Sequence, residues 1–209
     1  VYNHHGLNWE RYITDVAPRV SKWMEKARDQ GLIRHICFSF HDTPEAFIKL
    51  IDEDYADVIT FQYNLLDRRL EEAMAYAHSR DIGTVVMGPV GGGRLGVPSK
   101  TLRSMVPHVQ RIPELALRFV LANDNVGMAL SGMSSIEQVK ENVEVANESA
   151  PLSNDDLVRI KQHAQRLKQK AELYCTGCGY CMPCPSGVDI PGVFDTVNLG
   201  RVYDLWEAA

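Results

Sequence analysis

No run of apolar residues in this chain approaches the roughly 20 needed to span a bilayer, and no signal peptide opens it. Basic charge is not in excess either. The 22 Lys and Arg stand against 27 Asp and Glu, a formal net charge of −5, so the bulk electrostatics give no reason to expect nucleic acid. The dispersed cysteine framework of a disulfide-stapled secreted domain is also missing, since four of the five cysteines fall between Cys175 and Cys184. These absences predict a cytoplasmic protein with neither a membrane nor a nucleic acid as partner. What is present is a globular composition, 45% hydrophobic and 23% charged over 209 residues, enough to bury a substantial core. The opening Val1-Tyr2-Asn3-His4-His5 reads as the end of an apolar strand with no initiator Met and no preceding turn, and predicts a missing N-terminal part.

Along the chain, one unit recurs. Val20, Trp23, Met24 and Ala27 have helical spacing and Gly31 supplies a stop, which predicts a helix over 17–30. A short apolar strand over 33–40 follows, and Thr43-Pro44 then offers an N-cap and a first-turn proline for a helix to Leu50. The same alternation predicts strands at 58–62, 84–87 and 126–130 and helices at 68–79, 113–122 and 136–146. Apolar strands alternating with amphipathic helices imply a parallel sheet covered by helices, in a closed barrel or a doubly wound sheet. After Ala150-Pro151 the pattern changes: Ser153 and Asp156 approximate a capping box for a polar, basic helix over 154–173 that runs into the cysteines. A boundary near residue 151 divides the chain into 1–150 and a helical tail, 151–209.

The tail carries the strongest chemical signal. Thiolates are soft anionic ligands, and several of them in one short loop repel one another unless a metal centre neutralises them. Cys175, Cys178, Cys181 and Cys184 are each separated by two residues, Gly177 and Gly179 permit tight turns, and Pro185 directly follows the last thiolate as in bacterial ferredoxins. This predicts a 4Fe-4S cluster in preference to structural zinc, the alternative, because zinc sites usually split into two separated pairs. The final gap is one residue shorter than in the ferredoxin run, which leaves the role of Cys184 open. Cys37 lies in an apolar strand and reads as an inert core residue. The basic run Arg159, Lys161, Arg166, Lys168 and Lys170 reads as a solvated helix face that could also dock an acidic electron-transfer protein.

Five segments in register carry a family resemblance: residues 2–8, Ile36-Cys37-Phe38-Ser39, Phe61-Gln62-Tyr63-Asn64-Leu65, Met87-Gly88-Pro89-Val90-Gly91-Gly92, and 132–142. Over roughly residues 1–147 they resemble the second half of an aldo-keto reductase. With the tail, the chain is similar to the subgroup that ends in a ferredoxin-type cluster motif. The resemblance implies the later part, strands 4 to 8, of a (β/α)8 TIM barrel reducing small carbonyls with NAD(P)H, or oxidising alcohols with its oxidised form, at the C-terminal ends of its strands. It assigns His5 to the catalytic histidine, and Ser39 and Gln62 to the nicotinamide carboxamide. Gly88, Pro89, Gly91 and Gly92 fall on the loop that approaches the pyrophosphate, and Glu141 with Asn142 on the adenine contacts. Gln138 stands where many members grip a 2′-phosphate with arginine, which weakens any preference for NADP over NAD. The family's catalytic tyrosine, lysine and aspartate come from earlier strands and are absent from this chain. Read without the family, His5 and Gln62 are hydrogen-bonding residues at strand ends and the glycines a flexible loop. The competing function is a non-catalytic electron-transfer or scaffold subunit with an iron-sulfur or zinc tail.

Overall fold

A computed structural model describes residues 2–147, 152–172 and 181–209; the side chains of residues 2–7 and 172 lie outside that description. Two compact units emerge. One contains residues 1–89 and 123–132, the other 90–122 and 133–209.

The first unit is a five-stranded parallel sheet: β1 (Tyr2–Leu7), β2 (Ile36–Phe40), β3 (Val58–Gln62), β4 (Gly83–Met87) and β5 (Met128–Leu130), paired in chain order. Strands without a solvent face carry unbroken apolar runs, and every residue of β2 is buried. Asp57 aligns the strand starts. Its carboxylate accepts from the Ile36 N–H at 2.8 Å, its own N–H donates to the Ile36 carbonyl at 2.9 Å, and its carbonyl accepts from the Gly83 N–H at 2.9 Å. The short β5 approaches β4 so closely that a Cβ on Gly127 would stand 3.0 Å from the Thr84 carbonyl oxygen. Glycine there lets the Gly127 N–H reach both the Thr84 carbonyl, at 3.1 Å, and its hydroxyl, at 2.9 Å.

The helices of this unit are α1 (Trp9–Arg11), a π-helical stretch Tyr12–Val20, α2 (Ser21–Asp29), α3 (Pro44–Asp52) and α4 (Glu71–Ser79). The sequence predicts a single helix over 17–30; instead the first part is π-helical, with Pro18 inside it. Proline has no N–H to close an ordinary turn and its ring crowds the carbonyl four residues back, so the backbone widens there and regular α-helix begins only at Ser21. Gly31 is the expected stop, at φ +72°. The strand predicted over 33–40 begins only at Ile36, after a bend and turn. Thr43 caps α3 as its sequence suggests, its hydroxyl accepting from the Ala46 N–H at 3.3 Å with Pro44 in the first turn. Ala46, Phe47, Leu50 and Ile51 form the buried stripe of α3, and the fully buried Phe47 ring meets Phe40 and Phe61 edge-on at 4.8 and 5.1 Å.

The second unit begins with a 3-10 turn at Gly91–Gly96, then α5 (Lys100–Arg103), α6 (Ile112–Leu121), α7 (Ile136–Asn147), α8 (Asn154–Glu172) and α9 (Ile190–Arg201), closing on a 3-10 turn at Trp206–Ala208. The turn at 91–96 and α5 carry no clear apolar period; α9 does, with Ile190, Val193, Phe194 and Val197 at helical spacing, but Pro191 and Gly192 in its first turn obscure the start. The capping box of α8 forms in full: the Asp156 N–H donates to Ser153 Oγ at 3.2 Å and the Ser153 N–H to Asp156 Oδ2 at 3.1 Å. Asp156, Ile160 and Leu167 turn inward from this helix, while all five of its expected basic residues are exposed. Among the described residues no helix is long and apolar enough to cross a membrane.

Candidate cofactor site

In the first unit, four of the predicted site residues stand toward the C-terminal ends of successive parallel strands. His5 lies in β1 inside the register shift between His4, partnered with Phe38, and Leu7, partnered with Phe40. Its side chain is outside the described residues. Ser39 is the penultimate residue of β2 and is buried; Gln62 ends β3, is exposed and is paired with Met87. Gly88 follows β4 at φ +63°, a conformation L side chains rarely adopt, and its missing Cβ would come within 3.8 Å of Gln62 Cγ.

Asn64 fixes the Gly88 turn. Its amide nitrogen donates to the Gly88 carbonyl at 3.1 Å, while its side-chain oxygen accepts from the Leu66 and Asp67 N–H groups, both at 2.9 Å. This side chain, 1% exposed, ties the loops after β3 and β4 together. The neighbouring Tyr63 hydroxyl donates to Glu71 at 3.1 Å and accepts from Asn123 at 3.3 Å, and burial pushes its ionisation well above the ordinary tyrosine range. Sequence reasoning did not single out Asn64; the available signal was an Asn in the loop directly after an apolar strand. Cys37 is buried as expected, its Sγ 3.5 Å from Thr60 Oγ1, and burial raises its thiol.

In the second unit, Gly91, Gly92 and Gly93 all have positive φ, and Cβ atoms on the latter two would meet nothing within 4 Å. A cavity of about 450 Å³ lies between the segment 96–103, the start of α6 and Glu141 of α7. Lys100, Arg103 and Arg111 line it, so three cations face one space of a few hundred Å³. Arg111 Nη1 sits 2.5 Å from Glu141 Oε1, with Glu114 3.7 Å from its Nε. Of the three α7 residues singled out by resemblance, Glu141 alone lines this cavity. The Gln138 side-chain oxygen instead accepts from the Ser134 N–H at 2.6 Å, and its own N–H donates to Ser135 Oγ at 3.3 Å, so it closes the helix start as a capping residue. The three cavity cations escaped sequence reasoning because they lie on two segments, α5 and the start of α6, that only folding brings together.

In the tail, Cys181 is exposed and Cys184 half-buried, both as free thiols, and the Cys184 carbonyl accepts from the Gly187 N–H at 2.9 Å. Cys175 and Cys178 lie outside the described residues. Among the described residues, no three His, Cys, Asp or Glu side chains converge as metal ligands.

Comparison with known proteins decides the family. Residues 7–165 match the aldo/keto reductase family. The chain belongs to it. An uncharacterized oxidoreductase, YqkF of Bacillus subtilis, is 25% identical over 196 residues, covering 82% of this chain and 62% of that protein. The L-galactose dehydrogenase of Arabidopsis thaliana is 33% identical over 109 residues, 44% of this chain and 34% of its own. The aldo-keto reductase AKR11C1 from Bacillus halodurans in its holo form superposes with a TM-score of 0.67 at 29% identity, covering 78% of this chain and 57% of that one. The aldo-keto reductase Tm1743, at 20% identity and a TM-score of 0.62, shares the fold. The chain thus spans about three fifths or less of these relatives.

Proposed function

We propose that this chain is the later part, strands 4 to 8, of a (β/α)8 aldo-keto reductase barrel over residues 1–150. In this reading residues 151–209 form a tail that holds a 4Fe-4S cluster, in a protein of the cytoplasm. The reaction is the interconversion of a small carbonyl compound and its alcohol with NAD(P)H. The observation that carries this reading is the alignment of His5, Ser39, Gln62 and Gly88 along one end of β1 to β4, where parallel α/β sheets assemble their sites. A bound nicotinamide supplies the hydride for the carbonyl carbon. The residues of this chain position it: Ser39 and Gln62 hold the carboxamide, and Gly88, Pro89, Gly91 and Gly92 form the loop that admits the pyrophosphate, its glycines placing no side chain in the way. Glu141 and Asn142 contact the adenine, and His5 orients the substrate carbonyl.

The cavity bears on the choice of cofactor. With Gln138 engaged in closing α7 and Arg111 paired with Glu141 and Glu114, Lys100 and Arg103 are the cations this cavity offers to a 2′-phosphate, and such a donor pair fits a doubly charged anion. This favours NADPH over NADH. The family's catalytic tyrosine, lysine and aspartate come from strands preceding those present here, so binding rather than turnover tests this chain. Titration of NADPH and NADH against the fluorescence of its three tryptophans should give saturable binding that is tighter for NADPH; no response to either sinks the nucleotide reading.

For the tail, the chemistry of the donor set supports a soft, cationic centre: exposed Cys181 and half-buried Cys184 are free thiols three residues apart, continuing the spacing of Cys175 and Cys178. Such a cluster passes one electron where hydride carries two, so an acidic electron-transfer protein docking on the basic face of α8 is the partner this reading implies. Protein purified without oxygen should be brown and contain iron and acid-labile sulfide. Colourless protein with one zinc per chain would defeat the assignment.

A further inference from the structure

The last residues of the chain do not simply trail from α9. Val202 and Leu205 are buried, Leu205 completely, and the backbone folds back over the helix end: the Asp204 N–H donates to the Gly200 carbonyl at 3.0 Å and the Leu205 N–H to Leu199 at 2.9 Å. Gly200 lies directly beneath the Trp206 ring, where a Cβ would come within 2.4 Å of a ring carbon, so the return is possible only over glycine. Asp204 is held at φ +54°, a left-handed conformation that a residue with a side chain keeps when its surroundings over-determine it.

What surrounds it is the cavity wall. The buried Ser99 hydroxyl donates to the Tyr203 carbonyl at 2.7 Å, and the Lys100 N–H donates to Asp204 Oδ2 at 2.9 Å. Ser99 also accepts from the Leu102 N–H at 3.0 Å, as the N-cap of α5. Ser99, Lys100 and Arg103 all line the cavity, so the segment carrying two of its three cations is fastened at its start by residues more than a hundred positions later.

We propose that Tyr203 and Asp204 form a clasp that positions the cation-bearing wall of the cavity, so that seating of the C-terminus and binding of a polyanionic nucleotide there are linked. The nucleotide part rests on the function proposed above. Without the clasp, the Lys100 N–H at the start of the single-turn α5 loses its acceptor and the Ser99 hydroxyl that caps the turn loses its own, so Lys100 and Arg103 lose a fixed origin. Linkage makes the effect reciprocal: a ligand that requires the ordered wall also holds the C-terminus in its seat. Asn198 extends the tie to the other side of the tail, its amide donating to the Ala171 carbonyl of α8 at 3.4 Å, in the last turns before the cysteine loop.

The test uses the whole chain with two substitutions at one position. Asp204→Gly takes the left-handed backbone without strain and removes only the carboxylate; Asp204→Asn tolerates that backbone and keeps an acceptor. Amide hydrogen exchange over residues 99–104, and the affinity for adenosine 2′,5′-bisphosphate by calorimetry, are measured on each. The clasp predicts faster exchange over 99–104 in Asp204→Gly and about fivefold weaker binding, the loss of one hydrogen bond to a charged group. Asp204→Asn should recover both, while β3 in the other unit exchanges unchanged in either variant. In the unsubstituted chain, saturating bisphosphate should slow exchange over 202–205. Unchanged exchange over 99–104 in Asp204→Gly, or binding within twofold of the parent despite faster exchange, overturns the proposal. If the parent chain ignores the bisphosphate but binds inorganic pyrophosphate, the nucleotide reading fails and pyrophosphate completes the test. If it binds neither, the linkage falls as well.

Discussion

The two units of this molecule hold their polar groups in order by different means. In the sheet unit, almost every tie is to a neighbouring strand or to the loop that follows it. Asp57 joins the starts of β2, β3 and β4, and Asn64 binds the turn after β4 while closing its own loop. In the helical unit the decisive ties span long stretches of chain: Ser99 to Tyr203, Lys100 to Asp204, and His108 to Asp156 at 3.8 Å. The sheet unit therefore presents candidate ligands on a frame set by strand pairing, whereas the cation-lined cavity depends on segments that have no local reason to meet.

Four measurements sharpen or break that contrast, beginning with the largest effect. Phe47→Ala removes a fully buried ring wedged edge-on between Phe40 and Phe61, and should cost about 3–5 kcal/mol of unfolding free energy in a urea titration. A loss under about 1 kcal/mol would mean that the sheet core is not packed as described. Asn64→Ala takes the donor from the Gly88 carbonyl and the acceptor from the Leu66 N–H, while the Asp67 N–H keeps the residue 64 carbonyl at 3.2 Å, and should cost about 2 kcal/mol. It should also weaken NADPH binding, whereas an exposed change such as Gln165→Ala leaves both unaltered.

Ser153→Ala removes half of the capping box of α8 and should cost about 1 kcal/mol, visible as a lower thermal midpoint. The smallest effect is a pH dependence at the same place. Hydrogen bonds from Ser153, foremost its hydroxyl, hold the Asp156 carboxyl below its ordinary value, with His108 and Arg159 adding attraction and burial opposing. A carboxylate whose ionised form is favoured by folding contributes stability that is complete above about pH 4, the ordinary Asp range, and is lost as pH falls through its depressed folded value. Asp156→Asn, which resembles the protonated carboxyl, should flatten that acid limb of the urea midpoint by lowering the neutral plateau towards the acid value. An unaltered limb would remove Asp156 as its source.

Much of the first unit was legible in advance. The apolar run of β2, the Thr43-Pro44 helix start, the Gly31 stop and the buried thiol of Cys37 each follow from nearest neighbours in sequence. The π-helical Tyr12–Val20 was missed although Pro18 marks it, because a proline in a helical pattern says that the turn is disturbed but not how the backbone accommodates it. The candidate site divides in the same way. His5, Ser39, Gln62 and Gly88 were singled out through the family resemblance, and periodicity accounts only for their places at or near the strand ends. Lys100, Arg103 and Arg111 were not singled out, since nothing in a basic residue tells which cavity it will line, and nothing in the sequence signals that the Gln138 side chain accepts from the Ser134 N–H at the start of α7.

By itself, then, the sequence determined the alternation of strand and helix, the caps, the family and the spacing of the four cysteines, all of which depend on interactions over a few residues or on recurrent motifs. The tertiary structure alone decided which cations share a cavity, that Asn64 holds the Gly88 turn, and that residues 203 and 204 fasten residues 99 and 100. Those outcomes depend on the closure of long loops. Chain entropy opposes such closure equally for many pairings, and only the packing of buried groups such as Leu205 and Leu102 selects one.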